Sequence, residues 1–169
     1  NLHAIMMTGA IPVFLMPTRN HYGIIGPIPK AEFSLDAIRA KIAANPFARE
    51  ALAKNPNAKP RILTITQSTY DGIMYNVEEI KGILDGEVDT LHFDEAWLPH
   101  ASFHDFYGDF HAIGEGRPRC KESMIFSTQS THKLLAGISQ ASQILVQDPQ
   151  NRQLDTHSFN EAYLMHTST

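Results

Sequence analysis

A single cysteine, Cys120, stands in 169 residues. One thiol cannot close an internal disulfide framework, and its use fits a reducing compartment, with the cytoplasm as the expected location. No base is positioned beside it in the sequence, so it reads as a small buried hydrophobe rather than a nucleophile. No apolar run approaches the roughly 18 residues of a membrane-spanning helix, and no signal-peptide pattern is present. Lysines and arginines are scattered rather than blocked, and the net charge is −4, which argues against a nucleic-acid partner. Gly9, Gly23 and Gly26 do not make a Gly-x-Gly-x-x-Gly fingerprint, so a dinucleotide fold has no support. His100 and His104 have the spacing that puts two imidazoles on one helix face, with His111 further on. Yet no Glu follows His100, and no cysteine pair completes a zinc set, so no metal is expected.

What is present is an alternation of helix-like and strand-like segments, the mark of an α/β layer architecture. Ile11–Met16 is a short apolar run stopped by Pro17 and reads as a strand. Ser34 reads as the N-cap of a helix over Leu35–Ala44, with Leu35, Ile38 and Ile42 on one face and Asn45-Pro46 ending it. Arg61–Thr66 is a β-branched strand, and Asp71-Gly72 signals a turn. Asn76 and Glu79 resemble a capping box for a helix to about Asp85. Val88–Phe93 is the next strand. The stretch from Leu98 to Lys121, rich in aromatics, His and Gly, reads as irregular with one short helix. Ser123–Thr128 and Ser142–Gln147 read as strands, and His132–Gly137 and Phe159–His166 as helical. Long gaps between successive strands favour parallel pairing.

Two stretches carry chemistry. In Ser127-Thr128-Gln129-Ser130-Thr131-His132-Lys133-Leu134-Leu135-Ala136-Gly137 a hydroxyl, an imidazole and an amine stand together where a strand gives way to a helix. Lys133 lies between His132 and an apolar run, and a lysine in apolar surroundings is suited to Schiff-base chemistry. Upstream, Val88–Phe93 runs into Asp94 and Glu95. Open parallel sheets bind ligands beyond the carboxyl ends of their strands, so Asp94 and Lys133 can meet in one crevice.

These motifs resemble the group III pyridoxal-phosphate (PLP) decarboxylases of lysine, arginine and ornithine. The likeness rests on Ser-x-His-Lys at 130–133 and Asp-x-Ala-Trp at 94–97, with Ser68-Thr69-Tyr70-Asp71-Gly72, Ser139-Gln140-Ala141-Ser142, Phe159–His166 and Arg19–Gly26 in the right order. It covers nearly the whole chain. It implies a three-layer, mostly parallel α/β domain of the aspartate-aminotransferase-like type. It makes Lys133 the Schiff-base lysine, Asp94 the partner of the pyridine nitrogen and Ala96 the small residue against the ring. Trp97 lies beside the cofactor, Ser130 and His132 near its phosphate, and Ser68 and Thr69 within its reach or the substrate's. Gln67 stands where Asn is more usual. Ser168 matches a position that reaches the phosphate of a neighbouring subunit, which implies a homodimer or larger homo-oligomer. The resemblance also makes Lys133 or His132 the candidate donor of the proton that replaces CO2.

The expected reaction is decarboxylation of arginine or lysine, less so ornithine, to the amine. The Glu95-Ala96 pair and Ile24-Ile25-Gly26-Pro27 favour the first two substrates. An aminotransferase or aldolase of the same fold, or a non-catalytic fragment, are the alternatives. The resemblance also implies that residues 1–169 are the later part of the PLP-binding major domain. The phosphate loop and the ring-stacking histidine would lie upstream and a C-terminal domain downstream, leaving the isolated piece inactive.

Overall fold

The computed structural model describes residues 2–167. The chain forms two compact units, residues 1–60 and residues 61–169.

In the first unit, helix α1 spans Leu2–Thr8, α2 Leu35–Ala44 and α3 Pro46–Lys54. Ser34 caps α2 by accepting from the Ala37 N–H, as its position in the sequence predicts. Asn45-Pro46 ends α2 but also starts α3. The Asn45 side chain accepts from Phe47 and Ala48, and Pro46 sits in the first turn, where its missing N–H is harmless. The expected strand at Ile11–Met16 does not form. Pro12 and Pro17 remove donors from that run, and its neighbourhood offers only an isolated antiparallel bridge between Arg19 and Ile25. Gly23 closes that turn at φ +80°, a conformation that L side chains rarely adopt.

The second unit holds a four-stranded sheet in the order β1-β2-β3-β4: Ile62–Thr66, Thr90–Asp94, Met124–Gln129 and Gln143–Gln147. β1 pairs with β2 and β2 with β3 in parallel, but β3 and β4 are antiparallel. The expectation of parallel pairing thus fails at the last strand. Between β3 and β4 lies α5, Thr131–Leu134, a single turn of four residues. At ~1.5 Å per residue it cannot carry the chain back along a strand of ~20 Å, so β4 enters from the end where β3 stops. Helix α6 spans Thr156–His166 and begins at an Asp155 cap.

The sheet has two unlike faces. Leu91, Phe93 and Ile125 are fully buried and Ile65 nearly so, as strand alternation demands of one face. The other face carries Thr64, His92 and Phe126 abreast in register, with Thr128 opposite Asp94 one step further along, and the Phe126 ring lies 5.9 Å from that of Phe159 in α6. α4, Val77–Leu84, contributes Val77, Ile80 and Leu84 to the core. Its N-cap is Asn76, which accepts from the Glu79 N–H. The segment 98–121 contains two short 3₁₀ turns, Ala101–Phe103 and Asp105–Tyr107.

Asp85 closes α4 and ties it to the strand beyond. Its carboxylate accepts from the N–H groups of Lys121 at 2.7 Å, Glu122 at 3.0 Å and Ser123 at 3.0 Å. Burial pushes its pKa up, but the three N–H groups and the charge of Lys121 outweigh it and leave the carboxyl below its ordinary value. Between the folded and unfolded pKa values the unfolded chain binds more protons, so stability rises with pH there. The contribution is complete above the unfolded value near 4 and is lost as pH falls through the lowered folded value. Asp85→Asn is therefore expected to cost about 1–3 kcal/mol at pH 7. The gap between parent and variant in thermal unfolding midpoint should close below pH 4. A gap that stays constant with pH contradicts this account.

Candidate active site

The parallel strands β1, β2 and β3 end along one edge, and each continues into residues that the sequence singled out. Beyond β1, Gln67 and Ser68 are buried, and the chain turns back at Gly72 (φ +82°). Thr69 fixes this turn: its hydroxyl accepts from the Ile73 N–H at 3.2 Å, and its backbone pairs with Ile73 and Gly72. The turn leaves Tyr70 exposed at its tip. Ser68 Oγ is buried and has no hydrogen-bond partner among the described residues.

Asp94 is the last residue of β2. Its Oδ1 accepts from the Ala96 N–H at 3.1 Å, a local turn that aims the chain toward Trp97. No lysine or arginine forms an ion pair with it among the described residues. On the same face His92 bridges two hydroxyls, with Nδ1 3.3 Å from Thr64 Oγ1 and Nε2 3.1 Å from Thr128 Oγ1. Burial holds the imidazole below its ordinary pKa, and the charge of Asp94 opposes that shift.

Beyond β3, Ser130 precedes α5, and its side chain makes no capping bond. His132 is fastened to the returning chain: Nδ1 lies 2.7 Å from the Ala141 carbonyl, and the His132 N–H donates to the same oxygen at 3.3 Å. Lys133 reaches across to the other two strand ends. Its Nζ donates to the Tyr70 hydroxyl at 3.4 Å and lies 5.5 Å from the Tyr70 ring centroid and 5.4 Å from that of Trp97. The two rings meet edge to face, with centroids 4.7 Å apart. Cation–π attraction holds an ammonium in such a corner.

The fold thus sets Ser68, Thr69, Asp94, Ala96, Trp97, Ser130, His132 and Lys133 along one carboxyl edge. Ser168 lies outside the described residues. The three histidines of the loop are not arranged as their spacing suggested, because the segment is not an α-helix. His100 meets the Tyr107 ring edge-on, His104 Nδ1 accepts from the Phe106 N–H, and His111 Nδ1 lies 3.2 Å from the Tyr107 carbonyl. No group of three metal-binding side chains occurs among the described residues. Cys120 is buried, and burial first, then the nearby Asp85 charge, pushes its pKa up to about 11. Among the described residues no helix is long and apolar enough to cross a membrane.

Tyr70 is the residue at this edge that the motifs did not assign a role. Tyr70 stands inside Ser68–Gly72, but only the fold reveals that its ring faces the amine of Lys133.

The family model for the Orn/Lys/Arg decarboxylase major domain matches residues 1–169. The chain belongs to that family. It is 52% identical over 168 residues to lysine decarboxylase LdcA of Pseudomonas aeruginosa, a match that covers 99% of this chain and 22% of that protein. It is 40% identical over 166 residues to the biodegradative arginine decarboxylase of Escherichia coli, with 98% and 21% covered. The solved structure of lysine decarboxylase A from Pseudomonas aeruginosa superposes with a TM-score of 0.84 at 51% identity, covering 99% of this chain and 22% of that one. The mixed α/β fold is thus that of decarboxylases of known structure. The chain spans about a fifth of the length of the curated relatives it matches.

Proposed function

We propose that the protein carrying this segment decarboxylates a basic L-amino acid, lysine or arginine before ornithine, with pyridoxal 5′-phosphate as its cofactor. The observation that carries the reading is the Lys133 amine, held between Tyr70 and Trp97 at the sheet edge where Asp94 ends the adjacent strand.

The residues fit the cofactor. A half-buried amine whose partners are a hydroxyl and two ring faces, with no carboxylate claiming it, is available for covalent chemistry. The buried, unpartnered Ser68 Oγ is the kind of group that a bound polar ligand satisfies. Lys133 and Asp94 would hold the cofactor's two ends of reactivity, and Ser130 and His132 would lie toward its phosphate. Ser68 and Thr69 would line the same edge. Ala96 leaves room for a ring, and Trp97 walls it. When bound, the cofactor supplies an aldehyde for an amine and a conjugated ring that takes up the electron pair left by CO2. Asp94 would stabilise positive charge at the ring nitrogen through its carboxylate. Lys133 would carry the amine that bonds the cofactor and, once free, would serve as a proton donor, with His132 as the second candidate. Trp97 and Tyr70 would hold the amine against their ring faces.

The same reading extends to a three-layer domain of the aspartate-aminotransferase-like type, with residues 1–169 as part of its cofactor-binding major domain. It also includes a homodimer or larger homo-oligomer and a cytoplasmic role in polyamine formation.

The test is product analysis. The full-length protein with pyridoxal 5′-phosphate is incubated with lysine, arginine and ornithine in turn, and CO2 and amine are measured. CO2 with cadaverine or agmatine, in excess of putrescine, is the expected result. Keto acid without CO2 assigns an aminotransferase and overturns the proposal.

A further inference from the structure

Glu95 follows Asp94 and, by strand alternation, points to the opposite, buried face. It has 0% exposure, and its carboxylate accepts three hydrogen bonds from two other segments, the loop at Ala112 and strand β3. Oε1 accepts from the Ala112 N–H at 2.6 Å. Oε2 accepts from the Ser127 hydroxyl at 2.6 Å and the Gln129 side-chain amide at 2.9 Å. The Gln129 carbonyl oxygen accepts in turn from the Gln143 amide at 2.6 Å. Backbone pairing extends past β2, with Gln67 N–H to Asp94 O and Glu95 N–H to Thr128 O, both at 2.9 Å. A polar row, buried at Glu95 and Gln129 and reaching the surface at Gln143, therefore runs beneath the edge from which Asp94 and Lys133 emerge.

Burial raises the pKa of Glu95, opposed by the hydrogen bonds from Ser127, Gln129 and Ala112 and by the neighbouring His111. A buried carboxyl with no paired cation is a costly way to fill space, and an apolar side chain would fill it at lower cost. What an apolar group cannot do is hold three segments at hydrogen-bond distances with fixed direction. Ser127 and Gln129 lie on the arm that leads to Ser130 and Lys133, whereas Glu95 lies inside the arm Asp94–Trp97.

We propose that Glu95 is a positioning residue: its carboxylate sets the spacing between the Asp94–Trp97 arm and the Ser130–Lys133 arm, so that acid and amine address one cofactor together. The inference rests on the cofactor reading given above and names a residue that does not touch the cofactor.

The test uses the full-length protein and titrates the visible absorption band of bound pyridoxal 5′-phosphate, alongside kinetics and the thermal midpoint. Glu95→Gln turns one acceptor oxygen into a donor amide that faces donors. Cofactor affinity and kcat should each fall at least tenfold, with the amino-acid KM within threefold of the parent. The exchange Glu95→Gln with Gln129→Glu returns an acid–amide pair across β2 and β3 and should recover most of the lost affinity. An affinity and kcat within twofold of the parent in Glu95→Gln overturn the proposal. So does an exchange variant that regains the thermal midpoint but not the band, since that is a purely structural role. Should Glu95→Gln not fold, Gln129→Met, which removes one donor and leaves two, should still weaken cofactor affinity about threefold, and unchanged affinity overturns the proposal. A parent protein with no band at all overturns the cofactor reading itself, and the inference falls with it.

Discussion

Replacing Lys133 by alanine in the full-length protein is expected to remove the visible band of bound pyridoxal 5′-phosphate and to lower CO2 release by about 10²–10⁴-fold. The size follows from what one amine does in the proposed site. It would anchor the cofactor, give way to the substrate amine, and stand ready to move a proton. The fold should survive. Lys133 is tied to the rest of the site by one 3.4 Å hydrogen bond and two ring contacts. Cation–π contacts of this kind are worth about 0.5–1 kcal/mol at exposed sites. Lys133→Arg separates charge from covalency. A guanidinium keeps the positive charge and the affinity for the Tyr70 and Trp97 rings, but it stays protonated and cannot condense with an aldehyde. It should be as inactive as the alanine variant while keeping the parent's thermal midpoint. A band that persists in either variant, or turnover within tenfold of the parent, removes Lys133 from its assigned role.

The elements on either side of this site were legible because their signals are local. Arg61–Thr66 and Val88–Phe93 announce themselves by β-branching and alternation, and the strands lie within two residues of those ranges. Ser34 and Asn76 sit where a side-chain oxygen meets free N–H groups, a bond decided by a few neighbouring residues. Asp94 at a strand end and Lys133 just past another follow from the same local reading. The direction of β4 does not. It depends on how far α5 runs before it stops, and Thr131-His132-Lys133-Leu134-Leu135-Ala136-Gly137 has helical composition beyond the single turn that forms. Gly137 lies close against His132, 3.0 Å from an added Cβ to the His132 Cα, and His132 is fastened to Ala141. The chain folds back there instead of extending the helix. Ile11–Met16 misleads for a related reason: apolar residues make a strand only when a partner strand accepts their hydrogen bonds.

The roles of Tyr70 and Glu95 were hidden for a different reason. Both depend on contacts between residues far apart in sequence. Tyr70 meets Lys133 across 63 residues, and Glu95 meets Gln129 across 34. A signal for Glu95 was nonetheless present. If Asp94 faces the cofactor, alternation turns its neighbour to the other side, and an acidic residue turned toward a core must find donors there.

Phe93 gives the largest expected loss of stability. It is fully buried on β2, the strand between β1 and β3, and is registered with Ile65 on one side and Ser127 on the other. Phe93→Ala is expected to cost about 3–5 kcal/mol in chemical denaturation of the full-length protein, from lost transfer free energy and the cavity left behind. Neighbouring strands limit collapse into that cavity, because their hydrogen bonds fix the backbone on both sides. His92 is the control, on the same strand but on the less buried face. Its alanine variant loses two hydroxyl contacts and should cost about 1–2 kcal/mol. The two variants also differ in what they do to the site. Phe93 lies directly before Asp94, so relaxation around the void shifts the carboxylate and should weaken cofactor binding even where the protein remains folded. Phe93→Leu, which refills most of the volume, should restore that binding before it restores full stability. A Phe93→Ala cost below about 1 kcal/mol would mean that this face of the sheet is not the close-packed support of the site.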